Sequence, residues 1–245
     1  MKEETFRLSG NRKLTFGIYE MTLEGCTAEF TRPGQFVNIT LDGLYLRRPI
    51  SVCDYSGQNL TILYKVVGKG TEKMAGMHEG ETLTMLTALG NGFDTSVSAQ
   101  HVVLFGGGIG AAPLYKLAKD LIVQGKKVTV VLGFNATGDI YYLEEFRQTG
   151  AEVLVATLDG SVGTKGFVTD AVRAANLNYD YFYACGPMPM LKAICANLNT
   201  PGEVSLEARM GCGFGICMGC SVETKQGTRR ICKEGPVFRK EDLLW

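Results

Sequence analysis

Through residue 98 the chain is written in short apolar or alternating runs, at 6–8, 14–21, 35–41, 50–54, 60–67 and 81–86, separated by Gly, Pro, Asn and Asp. Alternation with a period of two sends successive side chains to opposite faces of a strand, and the intervening residues are turn formers, so the pattern predicts six strands closing into a small antiparallel barrel. Thr71, at the end of the glycine-bracketed turn Gly68-Lys69-Gly70, is expected to cap a short helix running through Met77, whose N-terminus would attract phosphate.

From residue 99 the pattern changes. A continuous apolar run at 102–105 leads into Gly106-Gly107-Gly108-Ile109-Gly110-Ala111-Ala112-Pro113 and then into an amphipathic stretch at 114–124. Strands at 127–134, 152–157 and 181–185 alternate with helices at 141–149 and 168–176, and Met190 begins a further helix. Such alternation predicts a doubly wound parallel sheet with helices on both faces, a fold whose ligands bind beyond the carboxyl ends of the strands. Nearer the C-terminus, 222–224 and 228–231 read as two short strands around the turn Lys225-Gln226-Gly227. The fold class is therefore α/β plus all-β, in three parts: a barrel over 1–98, an α/β domain over 99–202 and a small cysteine-bearing module over 203–245.

Composition fits this division. The 245 residues exceed one typical domain, and a 45% apolar share is enough for two cores and an appendage. Lys plus Arg and Asp plus Glu balance at 25 each, which leaves no global electrostatic footprint for nucleic acid or an anionic membrane. No run approaches the roughly 18 apolar residues that cross a bilayer, and no charged-then-apolar leader opens the chain. Together with thiols that read as reduced, this leads to the expectation of a cytoplasmic protein.

The sharpest chemical signal is the order Cys212-x4-Cys217-x2-Cys220-x11-Cys232 in a glycine-rich stretch, the way a 2Fe-2S cluster is held. A loop around a cluster needs unusual backbone angles and N–H groups aimed at sulfur, which suits Gly213, Gly215 and Gly219. The hairpin centred on Gln226 brings Cys232 back opposite Cys220. A four-thiolate zinc site and disulfides are the alternatives, but three cysteines on one loop lack the two close pairs of most zinc sites. Cys26, Cys53, Cys185 and Cys195 stand singly and read as buried small residues.

Other motifs are weaker alone. Arg47-Arg48-Pro49-Ile50-Ser51 sets a guanidinium and a hydroxyl a few residues apart at a strand edge; it reads either as a solvated strand end or as an anion site. Gly90-Asn91-Gly92-Phe93 marks a tight turn. The glycine loop after 102–105 serves either helix–sheet packing or a dinucleotide. Ala184-Cys185-Gly186-Pro187-Met188-Pro189-Met190 turns sharply above the last strand, so both loops could face one nucleotide. The only histidines, His78 and His101, fall in segments read as barrel or linker, and no acid–base or nucleophile constellation for an organic substrate is visible.

Taken together, a barrel with Arg-Pro-Ile-Ser and Gly-Asn-Gly-Phe, followed by a sheet with Gly-Gly-Gly-Ile-Gly and Cys-Gly-Pro-Met, resembles the ferredoxin–NADP reductase superfamily over nearly the whole chain. With the compact cysteine module added, the chain is similar to the electron-transfer subunits of dihydroorotate dehydrogenase B. The resemblance implies FAD on Arg48, Pro49, Ile50 and Ser51, with Arg48 on the pyrophosphate and Ser51 near the reactive flavin edge, and with Leu63, Tyr64, Lys65, Gly70 and Thr71 completing the site. It implies a nicotinamide dinucleotide admitted by Gly107, Gly108 and Gly110, and the nicotinamide beside Cys185, Gly186 and Pro187, Cys185 being the one candidate for positioning it. After Phe134 the chain offers Asn135-Ala136-Thr137-Gly138-Asp139, with no arginine fork for a 2′-phosphate, so NAD is expected over NADP. The implied partner is an FMN-containing dihydroorotate dehydrogenase catalytic subunit, two copies of each chain forming a heterotetramer in pyrimidine biosynthesis, with Phe214 and Ile216 expected on the exposed docking face. A reductase subunit of a ferredoxin-, sulfide- or hydrogenase-type complex and a zinc-stabilised nucleotide sensor are the competing readings.

Overall fold

Six N-terminal strands close into an antiparallel barrel in the computed structural model, which describes residues 1–245. They are β1 (Glu3–Thr15), β2 (Ile18–Glu24), β3 (Phe36–Ile39), β4 (Arg48–Ser56), β5 (Asn59–Lys65) and β6 (Thr82–Leu89), in the order β1-β2-β5-β4-β3-β6. Phe6, Leu8, Met21, Leu23, Ile62 and Tyr64 fill the interior. The run 14–21, expected as one strand, is split between β1 and β2 by a turn at Phe16-Gly17, where Gly17 takes φ 71°. Phe-Gly lacks the Asn or Asp that usually announces such a turn, so the apolar pattern runs straight through it.

α1 (Lys69–Ala75) follows β5 and is capped by Gly68, three residues before the threonine expected there. Thr71 lies in the first turn instead. Its Oγ1 accepts from the N–H of Val67 (2.9 Å) and of Gly68 (3.3 Å) and donates to the Gly68 carbonyl (3.0 Å), which ties the turn closed.

The second sheet begins with β7 (His101–Gly107), then a single 3-10 turn, α2 (Ala112–Val123), β8 (Lys127–Phe134), α3 (Leu143–Gln148), β9 (Glu152–Thr157), β10 (Thr164–Lys165), α4 (Val168–Ala174), β11 (Tyr181–Cys185), α5 (Met188–Asn197) and β12 (Gly202–Ser205). The hairpin β13 (Ser221–Thr224) and β14 (Gly227–Arg230) and a last strand β15 (Val237–Arg239) complete the chain. Strand order is β10-β9-β8-β7-β11-β12-β15, parallel throughout except for β15, which lies antiparallel on β12. The chain leaves β7 toward β8 and β9 and returns to its other side as β11, which makes the β7–β11 junction the switch point where ligands of such sheets bind. Residues 202–205 and 237–239 flank the cysteine segment and both belong to this sheet, so the segment is stitched to the α/β layer at each end.

The helix expected at 141–149 begins only at Leu143, because Tyr142 takes a left-handed φ of 63°. The reason is tertiary. Tyr142 donates its hydroxyl to Glu20 Oε2 of the barrel at 2.7 Å, and Arg12 holds the same carboxylate through Nε (2.6 Å) and Nη2 (3.1 Å). Burial opposes ionisation of Glu20, but these donors outweigh it and keep its carboxyl below the ordinary value. A charge-assisted bond of this kind contributes about 1.5–3 kcal/mol. With the Lys119–Asp54 ion pair (2.6 Å) between α2 and β4, it fixes the barrel against the sheet.

Apolar burial crosses the same boundaries. Ile18, Cys53, Leu63 and Phe93 of the N-terminal region share one core with α2 and the sheet, while Phe36, Leu86 and Leu89 share the opposite core with Cys220, Ile231, Cys232 and Leu243. The three sequence regions therefore pack as one body.

Candidate functional site

A cavity of about 470 Å³ lies between the barrel and the sheet, lined by Arg48, Pro49, Ile50, Ser51, Leu63, Tyr64, Lys65 and Thr71 on the barrel side. The first turn of α2, through Ala112 and Pro113, the end of β12 at Ser205 and the segment after it, through Leu206, Glu207, Ala208 and Met210, close the other side. Strand alternation sorts the barrel contributors. Tyr64 turns its ring into the barrel, where its hydroxyl donates to Asn11 Oδ1 (2.9 Å), so what it presents to the cavity is backbone, whereas Leu63 faces the sheet. Gly70 does not line the cavity, but a Cβ there would overlap Arg48 Nε, so its bare backbone is what lets α1 close on the guanidinium. Thr71 lines the wall with a hydroxyl already committed to its own turn.

A second cavity of about 600 Å³ opens at the switch point. Gly107 at the end of β7, Gly108 just beyond it, and Gly186 and Pro187 after β11 line it, with Phe134, Asn135, Asp139 and Tyr141 from the next βα unit and Phe16 from the barrel hairpin. The two glycine loops touch: a Cβ on Gly186 would lie 3.0 Å from the Gly107 backbone, and one on Gly107 would lie 2.8 Å from Pro187 Cδ. Two expected members are not in the wall. Gly110 packs beneath it, where a Cβ would lie 2.5 Å from the Cys185 carbonyl carbon and 2.6 Å from Gly186 N. Cys185 is buried at the end of β11, and burial pushes its thiol well above the ordinary thiol value. Its backbone shapes the loop; its sulfur lies in the core.

Lys65, Ile109 and Glu207 line both cavities, so the two spaces adjoin. Lys65 is also the only cation in the wall of the larger one. Glu207 carried no sequence signal, being a single acid between two expected elements. It meets solvent through the cavities yet is surrounded by protein on its other sides, and that desolvation holds its carboxyl above the ordinary value. Neither histidine lines either space.

The cysteines meet in two pairs. Cys212 N–H points at Cys217 Sγ (3.4 Å), while the N–H groups of Ile216 and Cys217 point back at Cys212 Sγ (3.3 and 3.5 Å). Cys232 N–H points at Cys220 Sγ (3.4 Å), because β13 pairs Ser221 with Arg230 of β14 and the next backbone bond joins Ile231 to Cys220 (3.0 Å). No three of these side chains have closed into a metal cage. The donor set nonetheless fits an iron–sulfur cluster. Burial works against ionisation of Cys212, but the surrounding N–H groups outweigh it and bring its thiol down to about 6, as a thiolate ligand requires. Gly213 (φ 77°) and Gly215 (φ 96°) supply left-handed turns in the loop that carries those amides, and Met218 (φ 60°) supplies another just beyond them. Of the two apolar residues expected on the exposed face, Ile216 is 75% exposed, but Phe214 is half-buried against the core that contains Cys220 and Cys232. A ring beside a cluster loop is worth more as packing than as exposed surface.

Comparison with known proteins follows this geometry. Residues 207–244 match the iron–sulfur cluster binding domain of dihydroorotate dehydrogenase B, and residues 104–196 match the oxidoreductase NAD-binding domain. The electron transfer subunit of dihydroorotate dehydrogenase B (NAD(+)) from Fusobacterium nucleatum is 42% identical over 257 aligned positions, covering 99% of each chain. The subunit of the same name from Bacillus caldolyticus is 42% identical and covers 98% of each. Among solved structures, a chain of the NADH-dependent reduced ferredoxin–NADP oxidoreductase, described for flavin-based electron bifurcation, superposes with TM-score 0.89 at 31% identity, covering 98% of this chain and 90% of that one. A ferredoxin–NADP reductase from Neisseria gonorrhoeae with bound FAD and NADP superposes with TM-score 0.68 at 14% identity, a likeness of fold.

Proposed function

The chain belongs to the electron transfer subunits of NAD-dependent dihydroorotate dehydrogenase B, and from that premise we propose how its residues divide the work. It is a flavin and iron–sulfur oxidoreductase subunit that uses NAD and serves a catalytic partner chain in pyrimidine biosynthesis. In our reading the smaller cavity holds FAD, the larger holds the nicotinamide dinucleotide, and Cys212, Cys217, Cys220 and Cys232 hold the 2Fe-2S cluster. A flavin, stable at three redox levels, joins two-electron exchange with NAD to one-electron exchange with the cluster.

The chain's own residues supply position and exclusion. Arg48, kept close to α1 by Gly70, would hold the flavin pyrophosphate, and Ser51 on the same strand would hold the reactive edge of the ring. The contacting glycine loops after β7 and β11 leave backbone where a dinucleotide must approach closely. The observation that carries the reading is the sharing of Lys65, Ile109 and Glu207 between the two cavities, which sets the nicotinamide space directly beside the flavin space. The amides of Ile216 and Cys217 converging on Cys212 Sγ stabilise a thiolate ligand there.

The finer parts of the assembly are proposals too. The partner carries FMN and abstracts the proton from dihydroorotate, the two chains associate as two copies of each, and the complex works in the cytoplasm. Purified alone, the protein should contain one FAD, two irons and two acid-labile sulfides and pass electrons from NADH to artificial acceptors without turning over dihydroorotate. Mixed with the catalytic subunit, it should support dihydroorotate-dependent reduction of NAD. Zinc without sulfide, or dihydroorotate oxidation by this chain alone, overturns the reading.

A further inference from the structure

The electron path just proposed needs the cysteine module held at a fixed separation from the barrel. Two barrel asparagines, neither of them lining either cavity described above, are bound to that module at opposite ends of the ligand set. Asn38 sits on β3 at 1% exposure and donates from Nδ2 to the carbonyl of Cys212 at 3.0 Å, across 174 residues of chain. On its own strand pair it faces Pro49, which lines the smaller cavity. A residue paired with the wall of the flavin space is thus bonded to a cysteine of the cluster loop.

The cysteine loop is shaped to accept this contact. Gly213, immediately after Cys212, takes φ 77°, and a Cβ there would overlap Asn38 Nδ2 and lie 3.0 Å from its Cγ. The barrel gains nothing comparable from the amide, since Asn38 Oδ1 is buried without a hydrogen-bond partner and an aliphatic side chain would pack there at no polar cost. What offsets the burial is the bond to Cys212.

Asn91 does the same at the other end. Its backbone N–H donates to the Gly235 carbonyl (2.8 Å), its Nδ2 donates to the carbonyls of Glu234 and Val237 (both 2.9 Å), and its Oδ1 accepts from the Val237 N–H (3.2 Å). These bonds fasten 234–237, which begins two residues after Cys232. Gly90 makes room, since a Cβ there would lie 2.9 Å from the Gly235 carbonyl oxygen. The Gly90-Asn91-Gly92 turn, which touches neither cavity, thereby acquires a purpose.

We propose that Asn38 and Asn91 are positioning residues that strap the cysteine module to the flavin barrel and so set the rate of electron exchange between flavin and cluster; this rests on the cofactor assignment above. The pairing of β15 with β12 anchors the module to the sheet, whereas these two side chains anchor it to the barrel. Electron tunnelling falls steeply with separation, so freeing the barrel contact slows transfer while leaving the walls of the two cavities unchanged.

The test uses the holo chain and its Asn38→Leu and Asn91→Ala variants, mixed with NADH in a stopped-flow instrument. NADH gives a hydride to the flavin and leaves as NAD+, and one electron of that pair then passes to the oxidised cluster. The flavin-bleaching phase should keep its rate in both variants, while the cluster-bleaching phase slows by about tenfold, the scale of an outer-sphere partner's loss. Hydrogen exchange should quicken in 207–244 and not in β1, β2 and β5. Loss of iron from Asn38→Leu with FAD retained also supports the strap, and Asn91→Ala then supplies the kinetic measurement. Variants with full FAD and iron that reduce the cluster at the wild-type rate overturn the proposal, as does equal slowing of both phases. A wild-type chain without iron and sulfide would instead overturn the cofactor assignment beneath it.

Discussion

Gly108 and Gly110 belong to one glycine-rich loop, yet the structure gives them different work, and replacing each by alanine should separate the two. At Gly110 the new Cβ would overlap the Cys185 carbonyl oxygen and lie 2.5 Å from its carbon and 2.6 Å from Gly186 N. These are backbone atoms at the end of a central strand and cannot rotate aside, so β7 and β11 must part locally, at about 3 kcal/mol, the upper end of ordinary overpacking. At Gly108 nothing lies within 4 Å, and the cost is that of a left-handed φ of 50° on a residue with a Cβ, about 1 kcal/mol. At 1.4 kcal/mol per decade these become an increase in local opening of about a hundredfold for Gly110→Ala and about fivefold for Gly108→Ala. Hydrogen–deuterium exchange of peptides spanning 102–112 and 181–190 reads that opening directly, and NADH bleaching of the flavin in the same samples reports the cavity. Equal protection of these peptides in the two variants would refute the assignment of Gly110 to packing under Cys185.

Three further outcomes follow from named contacts. Glu203, buried on β12, has its carboxyl pushed up to about 7, chiefly by burial, although the Asp94 N–H donates to it at 3.0 Å. The folded state therefore favours the neutral acid, and stability present at low pH is lost as pH rises from about 4.5 through 7; at 1.36 kcal/mol per pH unit the loss is about 3 kcal/mol. Glu203→Gln should flatten that window in urea titrations at pH 5 and pH 8, and parallel pH dependence in the two proteins would count against it. NADH should reduce the flavin much faster than NADPH, because Lys65 is the only cation in the wall of the larger cavity; equal stopped-flow rates would mean another cation reads the 2′-phosphate. Ile216→Asp should weaken association with the catalytic subunit while leaving the cluster absorption intact, whereas Phe214→Asp should disturb the module itself, and unchanged binding by Ile216→Asp in sedimentation would remove that residue from the docking face.

Much of this protein was legible along the chain because its determinants are local. Period-two alternation marked the barrel, strand–glycine–helix alternation marked the sheet, and the cysteine spacing marked the cluster module, since ligands on one loop and one hairpin are near in sequence as well as in space. What the chain hid is what depends on distant partners. Residues 14–21 read as one strand until the Phe16-Gly17 turn divided them, and α3 starts late because Tyr142 bends toward Glu20, 122 residues away. Glu207 enters both cavities only when β12 is laid beside β11, and Cys185 leaves them because the end of that strand is core. Asn38 and Asn91 looked like a barrel position and a turn position until the cysteine module folded onto them. Hydrophobic period and ligand spacing are properties of a segment, so the sequence alone determined the parts and their chemistry; burial, desolvation and hydrogen bonds between segments exist only once the parts are packed, and they decided which residues reach the cavities and how the parts are joined.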